Sequence, residues 1–154
     1  MTSTGGINLD TLHLDVMLLG SKGYCCSQIM TILMLGRRGE ENSSLVRAMA
    51  GLCNGIGYSG DICGALSGGV CLLSLCAGKG SDGEAQHERL PLMFFELTEW
   101  FRERTEGPFG GMKCDSILTR SPDKRACAVL VSETYEKVLS ILESHDVPPY
   151  RREM

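Results

Sequence analysis

Eight cysteines, Cys25, Cys26, Cys53, Cys63, Cys71, Cys76, Cys114 and Cys127, are the residues of this 154-residue chain best suited to chemistry. No pair has C-x-x-C spacing, which excludes thioredoxin-type dithiols, zinc ribbons and ferredoxin runs, and no C-x-x-C-H occurs for covalent haem. A multi-ligand site must therefore be assembled from separate elements, and each cysteine's place on its helix becomes the useful variable. Cys26 falls in the first turn of a predicted second helix, Cys63 just beyond an Asp61 cap, and Cys114 at the start of a short helix after glycines. At such positions a thiolate meets unpaired amides and the positive end of the helix dipole, which lowers its pKa. The same field stabilises a ligated anionic cluster. Cys127 sits about a turn further into the last helix, on its apolar stripe.

Gly64, Ala65 and Gly68 follow Cys63 on the central helix, together with Gly69. Glycine costs a helix interior about 1 kcal/mol relative to alanine, so these small residues point to close approach by a cofactor or by another backbone. Cys53, Cys71 and Cys76 fall among leucines and methionines and read as packing residues. The histidines His13, His87 and His145 have no i, i+4 partner and read as surface groups, and Glu96, Glu99, Glu103 and Glu106 read as a solvated helix face. Met30, Met34, Met49 and Met93 have core spacing and not the look of copper ligands. No nucleophile elbow, Walker motif or dinucleotide fingerprint is present.

Helices must do the positioning, because apolar residues recur at i, i+3, i+4 and i+7 and alternation is nearly absent. A first helix is capped at Asn8 or Asp10 and carries Leu12, Val16 and Leu19 on one face. A second starts near Tyr24 with Cys26, Ile29, Met30 and Leu33; a third, capped at Asn42 or Ser43, runs through Cys53. The fourth, Ile62 to about Cys76, is uncharged and apolar all round, so it should be the buried central one. A fifth spans roughly Glu84 to Arg104, with Pro91 at its true start or at a kink, and ends before a Gly107–Gly111 turn. Ser121-Pro122-Asp123 supplies an N-cap and N1 proline for the last helix, and the tail from Val147 reads as frayed. The expected fold is an all-α, single-domain bundle of six or seven helices.

The balance of the chain fits this. Hydrophobic residues make up 43% and charged residues 22%, so a real core can form. The net charge of −4, with scattered basic residues, argues against nucleic acid or a polybasic membrane patch as partner. No export signal or membrane span is expected, which points to a reducing cytoplasm, where cysteines serve metals or redox chemistry more than permanent staples.

The run Asp61-Ile62-Cys63-Gly64-Ala65-Leu66-Ser67-Gly68-Gly69 resembles the signature of a redox-active family named for its C–GCAxxG–C–C cysteine pattern, with Cys63 here preceding Gly64. Gly23-Tyr24-Cys25-Cys26-Ser27-Gln28 is similar to that family's first motif, and Gly55-Ile56-Gly57-Tyr58 resembles its glycine-rich lead into the central helix. The resemblance places the family's four cysteines on Cys26, Cys63, Cys114 and Cys127. Relatives sometimes carry selenocysteine, and a related domain occurs in split-Soret cytochromes, where an iron–sulfur cluster is implicated; the haem motifs of those cytochromes are lacking. Three chemistries follow. Four thiolates match a [2Fe–2S] or [4Fe–4S] centre in electron transfer. A metal-free thiol–disulfide or selenol-type exchange would instead use Cys26 or Cys63 as attacker, and the vicinal Cys25–Cys26 pair suits it. Structural zinc needs the same four ligands in a tetrahedron, and a partner-binding helical scaffold with buried cysteines is the plainest alternative. The expected partner is a redox protein, and small redox bundles often form homodimers.

Overall fold

The computed structural model describes residues 8–149. Among these the chain forms seven α-helices and one 3-10 turn: α1 (Leu9–Ser21), α2 (Cys26–Arg38), α3 (Ser43–Met49), the turn Ala50–Leu52, α4 (Gly64–Ala77), α5 (Leu90–Phe109), α6 (Cys114–Arg120) and α7 (Arg125–Ser144). The all-α expectation holds. The described residues contain no strand, only an isolated antiparallel bridge between Ile62 and Lys113. None of the helices is long and apolar enough to cross a membrane.

The apolar stripes explain the packing. Leu12 and Val16 of α1 turn inward onto α7, and Met30 and Met34 of α2 are fully buried against the bundle. The central position of α4 follows from its composition: with no charged face to keep wet, it packs on α2, α5 and α7 at once. Its glycines set how close these partners come. A Cβ on Gly68 would stand 3.0 Å from the Ser27 Cα of α2, and one on Gly69 would stand 3.0 Å from Leu97 of α5 and 3.2 Å from Thr134 of α7. Phe101, Leu72, Leu73, Leu97, Leu130 and Leu142 fill the resulting core. All four methionines read as core are buried.

Several boundaries differ from the sequence expectation, each for a local reason. Asn8 caps α1 and Asn42 caps α3 through their side-chain oxygens, but α4 is capped by Cys63 and not by Asp61. The Asp61 amide is held by the Gly55 carbonyl, and its own carbonyl accepts from the Cys114 amide at 2.7 Å, so it belongs to the loop. Helix α5 starts at Leu90, which puts Pro91 in the first turn, where a missing amide costs nothing. It runs on through Gly107 and Pro108 to an αL cap at Gly110. Helix α7 begins at Arg125, three residues beyond the expected N1 proline Pro122: Lys124 and not Ser121 is its cap, in a left-handed conformation (φ 64°), while the Asp123 and Ser121 side chains still accept the Arg125 and Ala126 amides. Val147 is buried against the core, so fraying cannot begin there, and residues 150–154 lie outside the described residues.

His145 also departs from the surface reading. Its side chain is only 7% exposed, and its Nε2 pairs with Glu96 at 3.1 Å, joining the end of α7 to α5.

Candidate functional site

The four cysteines Cys26, Cys63, Cys114 and Cys127 all line one cavity of about 460 Å³. Each arrives there in the same way, at the N-terminal end of a helix. Cys63 is the N-cap residue of α4, Cys26 and Cys114 are the first residues of α2 and α6, and Cys127 is the third residue of α7. Two backbone ties hold the set together. The Cys63 amide donates to Met112 at 3.0 Å and the Cys114 amide to Asp61 at 2.7 Å, so the α4 and α6 starts are cross-linked by main chain. Helix α2 is fixed to α3 by Ser27 Oγ on the Met49 carbonyl at 2.8 Å and by Gln28 Nε2 on Val46 at 3.2 Å.

The remaining wall is apolar on the α1, α6 and α7 side, with Val16, Met17, Ile117 and Val131. Tyr24, Tyr58, Asn54 and Lys124 stand around it. Among the described residues Lys124 is the only charged one of the lining, and no carboxylate contributes. Four helix N-termini and one ammonium make this cavity a place for negative charge. Lys124 itself was not foreseen; its only sequence signal is its position three residues before Cys127.

Electrostatics divide the four thiols. Hydrogen bonding from the Cys26 thiol is the main reason that Cys127 is lowered to about 7, with Lys124 acting in the same direction against the effect of burial. The partnership pushes Cys26 the other way, well above the ordinary thiol range, and burial and the neighbouring cysteines add to this. Burial dominates at Cys63, pushed up to about 12 although the Ala65 and Leu66 amides oppose it, and burial also raises Cys114. Helix-start position was expected to depress Cys26, Cys63 and Cys114. For the metal-free thiols, loss of hydration prevails at Cys63 and Cys114, and at Cys26 the hydrogen bond to Cys127 prevails with burial adding to it.

Of the three small residues associated with Cys63, Gly64 alone lines the cavity. Ala65 is fully buried and Gly68 is seated on Ser27. A methyl on Gly64 would lie 3.3 Å from Cys26 Cβ and 3.4 Å from the Leu52 carbonyl. Gly64→Ala is therefore expected to leave helicity unchanged and stability within about 1 kcal/mol, because the helix gain and the crowding oppose each other. It should alter the reactivity of Cys26 toward iodoacetamide in the metal-free chain. Unchanged reactivity would show that α2 yields as a whole and that Gly64 does not position Cys26.

The other cysteines separate cleanly. Cys71 and Cys76 are half-buried free thiols outside the cavity lining, with Cys76 near Arg38 at the far end of the bundle. Cys53 is buried, as its apolar neighbours implied, but it is not a free packing residue: it forms a disulfide with Cys25, Cα–Cα 5.7 Å. Cys25 is thus joined across 28 residues to Cys53 and is unavailable as a vicinal partner for Cys26. Nothing in the spacing revealed this pair, because it depends on how the end of the 3-10 turn meets the start of α2. Among the described residues no three His, Cys, Asp or Glu side chains are gathered tightly enough to hold a single metal ion.

A family model described as "putative redox-active protein (C_GCAxxG_C_C)" matches residues 24–141, which span all four cavity cysteines. No curated protein and no solved structure gives a significant match.

Proposed function

This chain belongs to the C_GCAxxG_C_C family of redox-active proteins, and from that premise we propose that Cys26, Cys63, Cys114 and Cys127 hold an iron–sulfur cluster used in electron transfer. One observation carries the reading: four cysteines, each at the start of a different helix, face one cavity whose lining, among the described residues, has an ammonium and no carboxylate. The donor set suits the group. Thiolate-ligated clusters are net anions, and helix N-termini and Lys124 offset that charge. A single zinc ion asks for four sulfurs at about 2.3 Å from one point, an arrangement that no group of the described side chains adopts.

When bound, such a cluster would take up and release one electron at a time. The protein's own residues have the other tasks. Val16, Met17, Ile117 and Val131 limit water on one wall, and the amides at the helix starts face the sulfurs without needing to reorganise as charge changes. Removing carboxylates from the lining and keeping Lys124 favours the more reduced, more negative state. The electron's outside source or destination would be a partner protein docking at the cavity mouth, where Gly20, Gly23, Tyr24 and Tyr58 are exposed.

A second reading rests on Cys26 and Cys127 lining the same cavity. Without metal, Cys127 is the thiol held near neutrality, so it would attack and Cys26 would resolve, in place of the attack by Cys26 or Cys63 expected from helix position. Anaerobic purification and reconstitution separate the two. Visible charge-transfer absorption with stoichiometric iron and sulfide supports the cluster. Colourless protein that takes up no iron under reconstitution, and whose Cys26 and Cys127 interconvert between dithiol and disulfide, overturns it in favour of exchange.

A further inference from the structure

The Cys25–Cys53 disulfide lies outside the four-cysteine set, yet it touches the same cavity. Cys25 is a cavity-lining, half-buried residue and the N-cap of α2, while Cys53 is 3% exposed and closes the 3-10 turn. From Cys53 the chain enters an unusual loop. Asn54, Gly55, Ile56, Gly57 and Tyr58 all have positive φ, between 51° and 76°, followed by Gly60 at 76°. Left-handed backbone is cheap for glycine and asparagine, but Ile56 is β-branched and Tyr58 bulky, so both are held against their own preference. What holds them is visible at each end. Upstream, the disulfide fixes Cys53 to α2; downstream, Asp61 and Cys63 are bonded to Cys114 and Met112. Inside, the amides of Tyr58, Gly60 and Asp61 donate to the carbonyls of Cys53, Asn54 and Gly55. The loop delivers Tyr58 to the cavity lining and ends at Cys63.

We propose that Cys25–Cys53 is a second, two-electron redox centre, reduced by a dithiol through the cavity, and that its reduction releases the 54–60 loop beside the four-cysteine site. The asymmetry of exposure assigns the steps. A thiolate of the reductant attacks Cys25 Sγ, the sulfur–sulfur bond breaks, and Cys53 leaves as a thiolate that takes up a proton. The second thiol of the reductant then displaces Cys25 from the mixed disulfide. Two electrons and two protons have moved: the reductant becomes a disulfide, and Cys25 and Cys53 become thiols. With its upstream tie gone, the loop has less to oppose the strain at Ile56 and Tyr58. This inference does not depend on a cluster, and it stands if the four cysteines never bind iron.

The test uses the full chain, once as isolated and once after iron chelation, with dithiothreitol as the reductant. Alkylation and peptide mass spectrometry report Cys25 and Cys53 separately from the other six cysteines, and brief chymotrypsin digestion reports cleavage after Tyr58, which is 74% exposed. Expected are an intact Cys25–Cys53 bond in aerobically isolated protein and its native-state reduction, with retained helicity. Cleavage after Tyr58 should rise by about tenfold or more, as a locally released segment requires. The double variant Cys25→Ala/Cys53→Ala should cleave at the fast rate with or without dithiothreitol. Free Cys25 and Cys53 in the isolated protein, reduction only after denaturation, or reduction with no change in cleavage would each overturn the proposal. The same behaviour in iron-loaded and iron-free chains keeps its fate separate from that of the cluster.

Discussion

Cys63→Ser should abolish iron loading while leaving the bundle intact. The thiol is the N-cap of α4 and its residue is buried, so it has no surface role that a serine would disturb. Serine is among the best N-cap residues, and its hydroxyl would satisfy helix amides that the thiol meets only weakly; α4 should gain up to about 1 kcal/mol from it. Stability and chemistry therefore move in opposite directions at one atom. Iron and sulfide, measured on the same preparation as circular dichroism, should fall from stoichiometric to near background with helicity unchanged. Cys63→Ala guards against ligation by the serine oxygen and should give the same loss. Cys71→Ser, at a half-buried thiol outside the cavity lining, is the control and should stay loaded. Full loading of both Cys63 variants would remove Cys63 from the ligand set and with it the four-cysteine reading.

The all-helical fold was legible because helical periodicity is carried by many residues at once. Errors of two or three residues at the caps of α4 and α7 do not disturb the stripes of Leu12–Val16 or Met30–Met34. The burial of α4 was equally plain, since a segment with no charged face has nowhere else to go. The grouping of Cys26, Cys63, Cys114 and Cys127 was reached through resemblance and through helix-start positions, and all four do line one cavity. What could not be read were quantities that depend on the assembled surroundings. Helix-start amides can be seen in a sequence, but the Cys127 partnership that overrides them at Cys26 and the burial that overrides them at Cys63 cannot. Likewise, Cys25 and Cys53 pair only because the 3-10 turn brings Cys53 under the first turn of α2. Residues Gly55–Tyr58 looked like a generic glycine-rich loop. That Ile56 and Tyr58 share the left-handed conformation of their glycine neighbours is set by the closure of the loop on Asp61.

That closure makes Gly55 the backbone position least tolerant of change. With φ at 76°, alanine there already carries left-handed strain, but the larger effect is steric. A Cβ would stand 2.3 Å from the Asp61 amide nitrogen, 2.5 Å from its carbonyl oxygen and 2.6 Å from the Gly60 carbonyl carbon, all main-chain atoms with no rotamer to escape into. The loop would have to open, breaking the Asp61-to-Gly55 hydrogen bond and displacing the segment that aligns Cys63 and Cys114. Gly55→Ala should therefore destabilise the protein by roughly 2–4 kcal/mol and reduce metal loading in whatever fraction remains folded. Gly60→Ala shares the φ of 76°, but its Cβ would meet the Asp115 carboxylate, an exposed side chain that can swing away, so its loss should be smaller. Gly36→Ala provides the opposite sign. It lies in α2 with open space around it and an ordinary φ, so it should stabilise by up to about 1 kcal/mol. Urea unfolding of the three variants, followed by circular dichroism, gives the order directly. If Gly55→Ala proves as stable as Gly36→Ala, the loop does not close on Asp61 in solution, and the alignment of Cys63 with Cys114 must come from elsewhere.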